Sequence, residues 1–242
     1  MNNEQRHKGF SLTEVLLSVG VLSIGMIFIA GVFPVAIHFT TIATERTLAA
    51  VVADEAFAKI RLYAIGDPNN PNDDVNIGEL KVNELTYFGD PNVFPAAAYI
   101  DPNEFAYPST DTDISKKQYY WSALCRRVDL SNVQVTVFVS RKTGPALGWQ
   151  IPIEVVVLQF SDDKLQIIDG NITFINDGYT IADNQTGQLY RVLERYAPPA
   201  DDTILLDRAW QGDPNGLVWV VPPPLGSGRY PCKAVYQKVI RF

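Results

Sequence analysis

Histidine and cysteine are scarce in this chain of 242 residues, which has two of each. His7 and His38 both fall in or beside an N-terminal apolar segment, so the rest of the chain has no imidazole for a nucleophilic triad or a histidine metal site. Cys125 and Cys232 stand far apart with no C-x-x-C pair, which excludes a thiolate zinc site and a thioredoxin-type redox motif. Positive charge is also short: 20 Lys and Arg against 27 Asp and Glu leave a net charge of −7 and a pI near 4.8. Binding nucleic acid by counterion release needs a basic surface, so nucleic acid is not an expected partner. Neither an enzymatic activity nor a cofactor is expected.

The most local absence is of charge itself. No Lys, Arg, Asp or Glu occurs between Val15 and Ile42. From Val15 to Phe39 the run is apolar apart from Ser18, Ser23, Gly20, Gly25, Gly31, Pro34 and His38. A bilayer span needs about 20 such residues. The short leader Met1 to Gly9 carries Glu4, Arg6 and Lys8 and is slightly basic. Basic residues ahead of the span, not directly after it, put the N-terminus in the cytoplasm and everything beyond Thr40 outside. A cleaved secretory signal would have a shorter apolar core and a small-x-small site at its end, and neither is present. A plain signal anchor fits length and topology but leaves Glu14 unexplained. A carboxylate at the edge of the run would cost up to roughly 3 kcal/mol if carried to the bilayer centre, unless it snorkels to the headgroups.

Lys8-Gly9-Phe10-Ser11-Leu12-Thr13-Glu14-Val15-Leu16-Leu17 resembles the class III prepilin signal shared by type IV pilins and the pseudopilins of type II secretion systems. The shared pattern is a short basic leader, Gly before the cut, Phe as first mature residue, Glu at mature position five, then an apolar helix. The resemblance covers about the first 30 to 60 residues, and residues 15–19 and 24–26 look more like minor subunits than major ones. It implies cleavage between Gly9 and Phe10 by a prepilin peptidase at the inner membrane, and N-methylation of Phe10. It also implies delivery through an inner-membrane assembly platform into a filament of other pilin or pseudopilin subunits. In such a filament Glu14 would face the Phe10 amine of a neighbour, each charge offsetting the other's desolvation. Many relatives carry a proline near mature position 22; here the proline is Pro34, three residues later, so the place where the helix would bend differs.

Beyond Pro34 the chain stays helix-compatible through Ala64, with no Gly or Pro before Gly66 and Asp67-Pro68. Leu48, Val52, Ala56, Ile60 and Tyr63 form one apolar stripe, expected to be core contact. A helix over 10–64, its transmembrane part 15–39, would be about 80 Å long, so only its later half could dock on a globular head. Residues 65–118 read as a loop-rich connector. The oxygen-rich runs 66–74 and 111–113 do not match an EF-hand loop and are expected to be solvated turns, with no metal.

From Tyr119 onward short runs rich in Val, Ile, Tyr and Phe read as strands: 119–124, 133–140, 151–159, 172–175, 188–195, 203–206, 217–221 and 234–241. Asp169-Gly170, Asp177-Gly178 and Asp213-Pro214-Asn215-Gly216 mark turns between them. The expected fold is α+β. A long membrane-spanning helix packs on an antiparallel pilin-type sheet over 119–160, and a C-terminal all-β unit, a small sandwich or barrel, occupies 164–242. Pro222-Pro223-Pro224 should end the Trp219 strand, and the four tryptophans should be core or interface aromatics. Cys125 and Cys232 could form one disulfide in an extracytoplasmic domain, adding roughly 4 to 5 kcal/mol in the chain-entropy account, or be two separate buried thiols. The adjacent pairs Asp162-Asp163 and Asp201-Asp202 read as solvated turns, since nothing pairs them with a nucleophile. Two functions compete: a minor filament subunit, and a bitopic anchor that displays a β-rich binding domain outside the membrane without forming a filament.

Overall fold

The computed structural model describes residues 11–64, 80, 82, 84–89, 100–111, 113, 116–142, 150–170, 172–196, 202–224 and 229–241. The fold is α+β, with one long N-terminal apolar helix followed by antiparallel sheets. The helix, α1 (Leu12–Ala64), continues through Pro34. Two compact units divide the chain at residues 47 and 48. The second unit, residues 48–242, contains all the strands.

Five strands make the first sheet. They are β1 (Thr86–Tyr87), β2 (Ala106–Tyr107), β3 (Tyr119–Arg127), β4 (Asn132–Arg141) and β11 (Cys232–Arg241), with β1 and β2 both paired to β3, β3 to β4 and β4 to β11. The remaining six close a barrel in the order β10-β5-β6-β9-β8-β7. These are β5 (Ile153–Ser161), β6 (Lys164–Asp169), β7 (Thr180–Asp183), β8 (Leu189–Tyr196), β9 (Thr203–Leu206) and β10 (Asn215–Val220). Closure removes every free edge, the usual hazard of exposed strands. The interior is filled by Val155, Val157, Leu165, Ile181, Tyr190, Val192, Ile204, Trp210, Val218 and Val220, so the barrel is a core and not a pore.

This connectivity corrects the division expected near residue 160. β5 follows β4 in sequence yet pairs only within the barrel, while the last strand, β11, returns to β4. The barrel is therefore an insertion between two neighbouring strands of one sheet, not a C-terminal unit. Its two ends are held together where Arg141 N donates to Pro231 O at 2.8 Å. Residues 172–175 were expected as a strand, but Ile172–Phe174 is a 3-10 turn and Ile175 is a buried plug of the barrel. β6 and β7 had no counterpart in the expected set of strands.

Both faces of the sheet are covered. Ala49, Val52, Ala53, Ala56, Phe57 and Ile60 of α1 form one buried cluster with Trp121, Ala123, Cys125, Val133, Val135, Val137, Val139 and Ile240. Three of the six helical residues are alanine, which lets the helix backbone approach the sheet closely. Lys59 Nζ fixes the segment after residue 100: it pairs with Glu55 at 2.9 Å and Glu104 at 2.7 Å and donates to Glu104 O at 2.8 Å. Burial opposes its charge, but the hydrogen bonds with the two glutamates outweigh that and raise its pKa. Trp121 Nε1 donates to the same carbonyl at 3.2 Å.

On the opposite face Leu124, Phe138 and Cys232 of the sheet meet Ala182, Trp219 and Val221 at the barrel. A polar rim surrounds this contact. Arg126 donates to Gln134 Oε1 and to Gln185 O, and Gln237 Nε2 donates to Gly187 O at 2.7 Å. Gly187 has φ +69°, and a Cβ there would lie 2.9 Å from Gln134 Oε1, so the β7–β8 turn needs glycine both for its backbone and for this approach. At the centre Asn184 Oδ1 accepts from Trp219 Nε1 at 2.8 Å and from Leu85 N at 3.1 Å.

Asn184→Ala leaves the Trp219 donor without its partner in a buried site and should cost about 2 to 3 kcal/mol, whereas Trp219→Phe removes the donor and should cost about 1 kcal/mol. Denaturant unfolding of the full chain, followed by circular dichroism, measures both. Equal costs would show that Asn184 does not satisfy that donor.

Candidate functional site

The N-terminal half of α1 has no polar face. Leu12, Leu17, Ile27 and Phe28 are each about 70% exposed or more, and apolar residues point in every direction around the helix. Among the described residues this is one helix long and apolar enough to cross a membrane. Its hydroxyls suit an apolar solvent. Ser18 Oγ donates to Glu14 O, Ser23 Oγ to Val19 O, Thr40 Oγ1 to Ala36 O and Thr41 Oγ1 to Ile37 O, all at 2.8 to 2.9 Å. Each donor is satisfied within the helix, so immersion in hydrocarbon strands none of them. Gly20, Gly25 and Gly31 have open space where a Cβ would stand.

Glu14 sits in the first turn of α1, where Ser11 O accepts from Glu14 N at 3.0 Å and from Val15 N at 3.2 Å. A carboxylate there is favoured by the free N–H groups and the positive end of the helix dipole. No described side chain pairs with it. The expected cleavage residues Gly9 and Phe10 lie outside the described residues, as do residues 66–74 of the oxygen-rich run. Of the second run, Asp111 Oδ1 accepts from Asp113 N at 3.0 Å, a turn contact.

Of the two states open to Cys125 and Cys232, a disulfide or two separate buried thiols, the structure has the second: both cysteines are free and buried. Strand register gives the reason. Cys125 lies opposite Val135 on the face covered by α1, and Cys232 lies opposite Ser140 with its side chain in the cluster facing the barrel. Five residues of β4 separate the two levels, about 17 Å of strand, and the sheet itself lies between the sulfurs. A disulfide needs Cα atoms within about 7 Å. Burial pushes the Cys125 thiol up to about 12 and the Cys232 thiol to about 11.

Trp121, Trp210 and Trp219 are buried core residues, and Trp149 lies outside the described residues. A cleft of about 730 Å³ opens on the barrel between the β5–β6 turn and the segment after β9, lined by Ser161, Asp162, Asp163, Leu193, Leu205, Leu206, Asp207, Arg208 and Ala209. Its polar groups hold the turn. Ser161 Oγ donates to Asp163 Oδ1 at 3.1 Å, Arg191 N donates to Asp207 Oδ1 at 3.0 Å, and Arg208 stacks over Tyr190 while donating to Leu189 O. No hydroxyl in the cleft is paired with an imidazole. No protein-family model, curated protein or solved structure matches the chain.

The two thiols make a test in pH. Their ordinary value is 9, and in the folded chain it is raised, so above pH 9 the unfolded chain releases protons that the folded chain retains. Their contribution to stability is therefore whole below pH 9 and lost progressively between about 9 and 12. Intact mass after iodoacetamide at pH 8 should show no adduct on the folded chain and two adducts in denaturant; a chain that takes none in denaturant without reductant would restore the disulfide.

Proposed function

We propose that this protein is a membrane-anchored filament subunit, made as a prepilin, cut between Gly9 and Phe10, methylated on Phe10, and assembled into a type IV pilus or type II secretion pseudopilus. The observation that carries the reading is the pairing of the motif Lys8 to Leu17 with α1. A signal with a cleavage residue and a fixed-spacing carboxylate runs directly into a helix apolar on all sides, and the far end of that helix belongs to the core of a β-rich unit. In this reading α1 first spans the inner membrane with its N-terminus cytoplasmic and the β unit outside, and later packs against neighbouring helices. Glu14, which pairs with no described side chain, would gain a partner in the Phe10 amine of a neighbour. A slip of one residue leaves both charges unpaired, so the pair would set axial register. The prepilin peptidase, the inner-membrane assembly platform and other pilin or pseudopilin subunits are the partners this function requires.

The inserted barrel favours a second reading, a bitopic anchor that displays a binding domain without a filament. A closed barrel placed between adjacent strands adds surface without interrupting the sheet, which suits display. The two readings differ at the N-terminus.

The intact mass and N-terminal peptide of the protein from its native membrane should show a chain beginning at Phe10 and heavier by one methyl group. A chain beginning at Met1 rejects the filament reading and leaves the anchored binding domain. Glu14→Ala should leave insertion and processing unchanged and reduce incorporation into sheared fibres by at least about tenfold, the effect of about 1.4 kcal/mol lost per subunit contact. Incorporation equal to the wild type would remove the register argument.

A further inference from the structure

The cleft on the barrel has an apolar floor and an acidic rim. Leu193 and Leu205 line it together with Asp162, Asp163 and Asp207. Strand pairing explains the floor. Ile204 and Leu206 belong to the barrel core, so Leu205 between them turns outward. The register shift between Val192 and Glu194 leaves Leu193 as an extra residue of β8, 51% exposed. The rim stays charged. Asp163 accepts from Ser161 Oγ and Asp207 from Arg191 N, both neutral donors, and no ion pair among the described residues offsets the three carboxylates. Arg208, the cation of this lining, lies over the Tyr190 ring and donates to Leu189 O.

A complement to this cleft stands on the exposed side of α1, within the same unit of residues 48–242. Val51, Ala58 and Leu62 share one helix face, turned away from the buried Val52, Ala56 and Ile60. Leu62 is 67% exposed and Val51 47%. The acidic residues beside this face are paired, Asp54 with Lys238 at 2.8 Å and Glu55 with Lys59 at 2.9 Å. Arg61 is exposed and forms no ion pair among the described residues. The last turn of the helix therefore presents a leucine and an unpaired cation side by side.

We propose that the Arg61–Leu62 end of α1 in one copy of this chain seats in the barrel cleft of a second copy, with Leu62 on Leu193 and Leu205 and the Arg61 guanidinium among Asp162, Asp163 and Asp207. Copies of net charge −7 repel one another, so a contact between them holds where opposite signs meet. This pair of surfaces supplies both the charge match and the apolar match. The two surfaces are different, so each copy turns its cleft to one neighbour and its helix end to another. Such a heterologous contact repeats from copy to copy, as a growing fibre needs. The inference rests on the filament reading and deepens it. The contact is small beside a stable interface, which buries upward of about 1,000 Å². Copies held in a common membrane or fibre meet at high effective concentration, which lets a weak contact fill.

The test mixes two full-length chains in the same phospholipid vesicles, one carrying Ala58→Cys and the other Ala209→Cys, and oxidises them to a disulfide. Both positions are exposed, one beside Leu62 on its helix face and one in the cleft lining, and the two native thiols are buried. Ile168→Cys, at a barrel residue 56% exposed and outside the cleft lining, is the reference. The 58–209 product should exceed the 58–168 product several-fold. Arg61→Glu in the first chain should lower it at least about threefold, the effect of a surface ion pair, and Asp162→Lys in the second chain should restore part of the loss. Equal yields at 209 and 168, or a yield that Arg61→Glu leaves unchanged, overturn the contact. A dominant 58–58 product identifies helix-to-helix pairing and overturns the cleft as the seat. A native chain that begins at Phe10 but gives no 58–209 excess rejects this contact and keeps the filament reading. A native chain that begins at Met1 rejects the filament reading, and a charge-dependent 58–209 product then stands as a contact between anchored copies.

Discussion

The centre of strand β4 has no face that water can reach. Every residue from Val135 to Ser140 is buried, with Val133, Val135, Val137 and Val139 under α1 and Thr136, Phe138 and Ser140 toward the barrel side. Burying a valine or phenylalanine side chain contributes about 1.5 to 3 kcal/mol, so removing either cover would expose several such side chains. The helix end and the barrel are therefore both requirements of the sheet. This makes the barrel a structural layer of the second unit even if it also binds something.

The insertion shows how that layer could be added without loss of pairing. β4 and β11 are neighbours in the sheet, and the hydrogen bond from Arg141 to Pro231 closes the gap through which the chain leaves and returns. Chain ends held this close accept an inserted domain with little strain. The turn from Asp183 to Gln188 then pins the barrel. Asp183, 1% exposed, accepts from Thr186 N at 2.9 Å, and the carbonyls of Gln185 and Gly187 receive Arg126 and Gln237 from the sheet. The contact joins an apolar centre to satisfied polar groups at its rim.

The positions of β3, β4, β5, β8, β9, β10 and β11 were legible because they depend on local pattern, while β6 and β7 were not. Val133-Gln134-Val135-Thr136-Val137 alternates, and Asp177-Gly178 marks a turn whose glycine has φ +82°. Pairing was not legible, because it depends on residues far apart. β5 looked like the next strand of the sheet by proximity, and nothing in Cys232 to Arg241 says that this strand closes beside β4. Ile172-Thr173-Phe174-Ile175 has the composition of a strand, but the crossing from β6 to β7 uses it as a turn and a plug. The cysteines failed as a pair for the same reason: side-chain alternation and a register offset put the sulfurs on opposite faces of the sheet, and their spacing in sequence carries neither fact. The long apolar helix was legible because its pattern is local, an uncharged run within one segment.

The two ends of α1 follow different packing rules. Before Phe39 the side chains are large and apolar on every side, with hydroxyls returned to the helix's own carbonyls, a composition with no preferred face. From Ala49 to Ile60 there is one buried stripe, with alanines at 49, 53 and 56, and its opposite side carries charge at Asp54 and Arg61. A stripe fixes rotation about the helix axis; a uniform surface does not. The β unit is therefore locked to the helix at one azimuth, while the apolar end is free to present any side to lipid or to other helices. That division is the one the proposed function calls for, a subunit that leaves a bilayer for a filament. Among the described residues of the apolar end Glu14 is the one carboxylate, so under that proposal it is the group that would set a direction and a level.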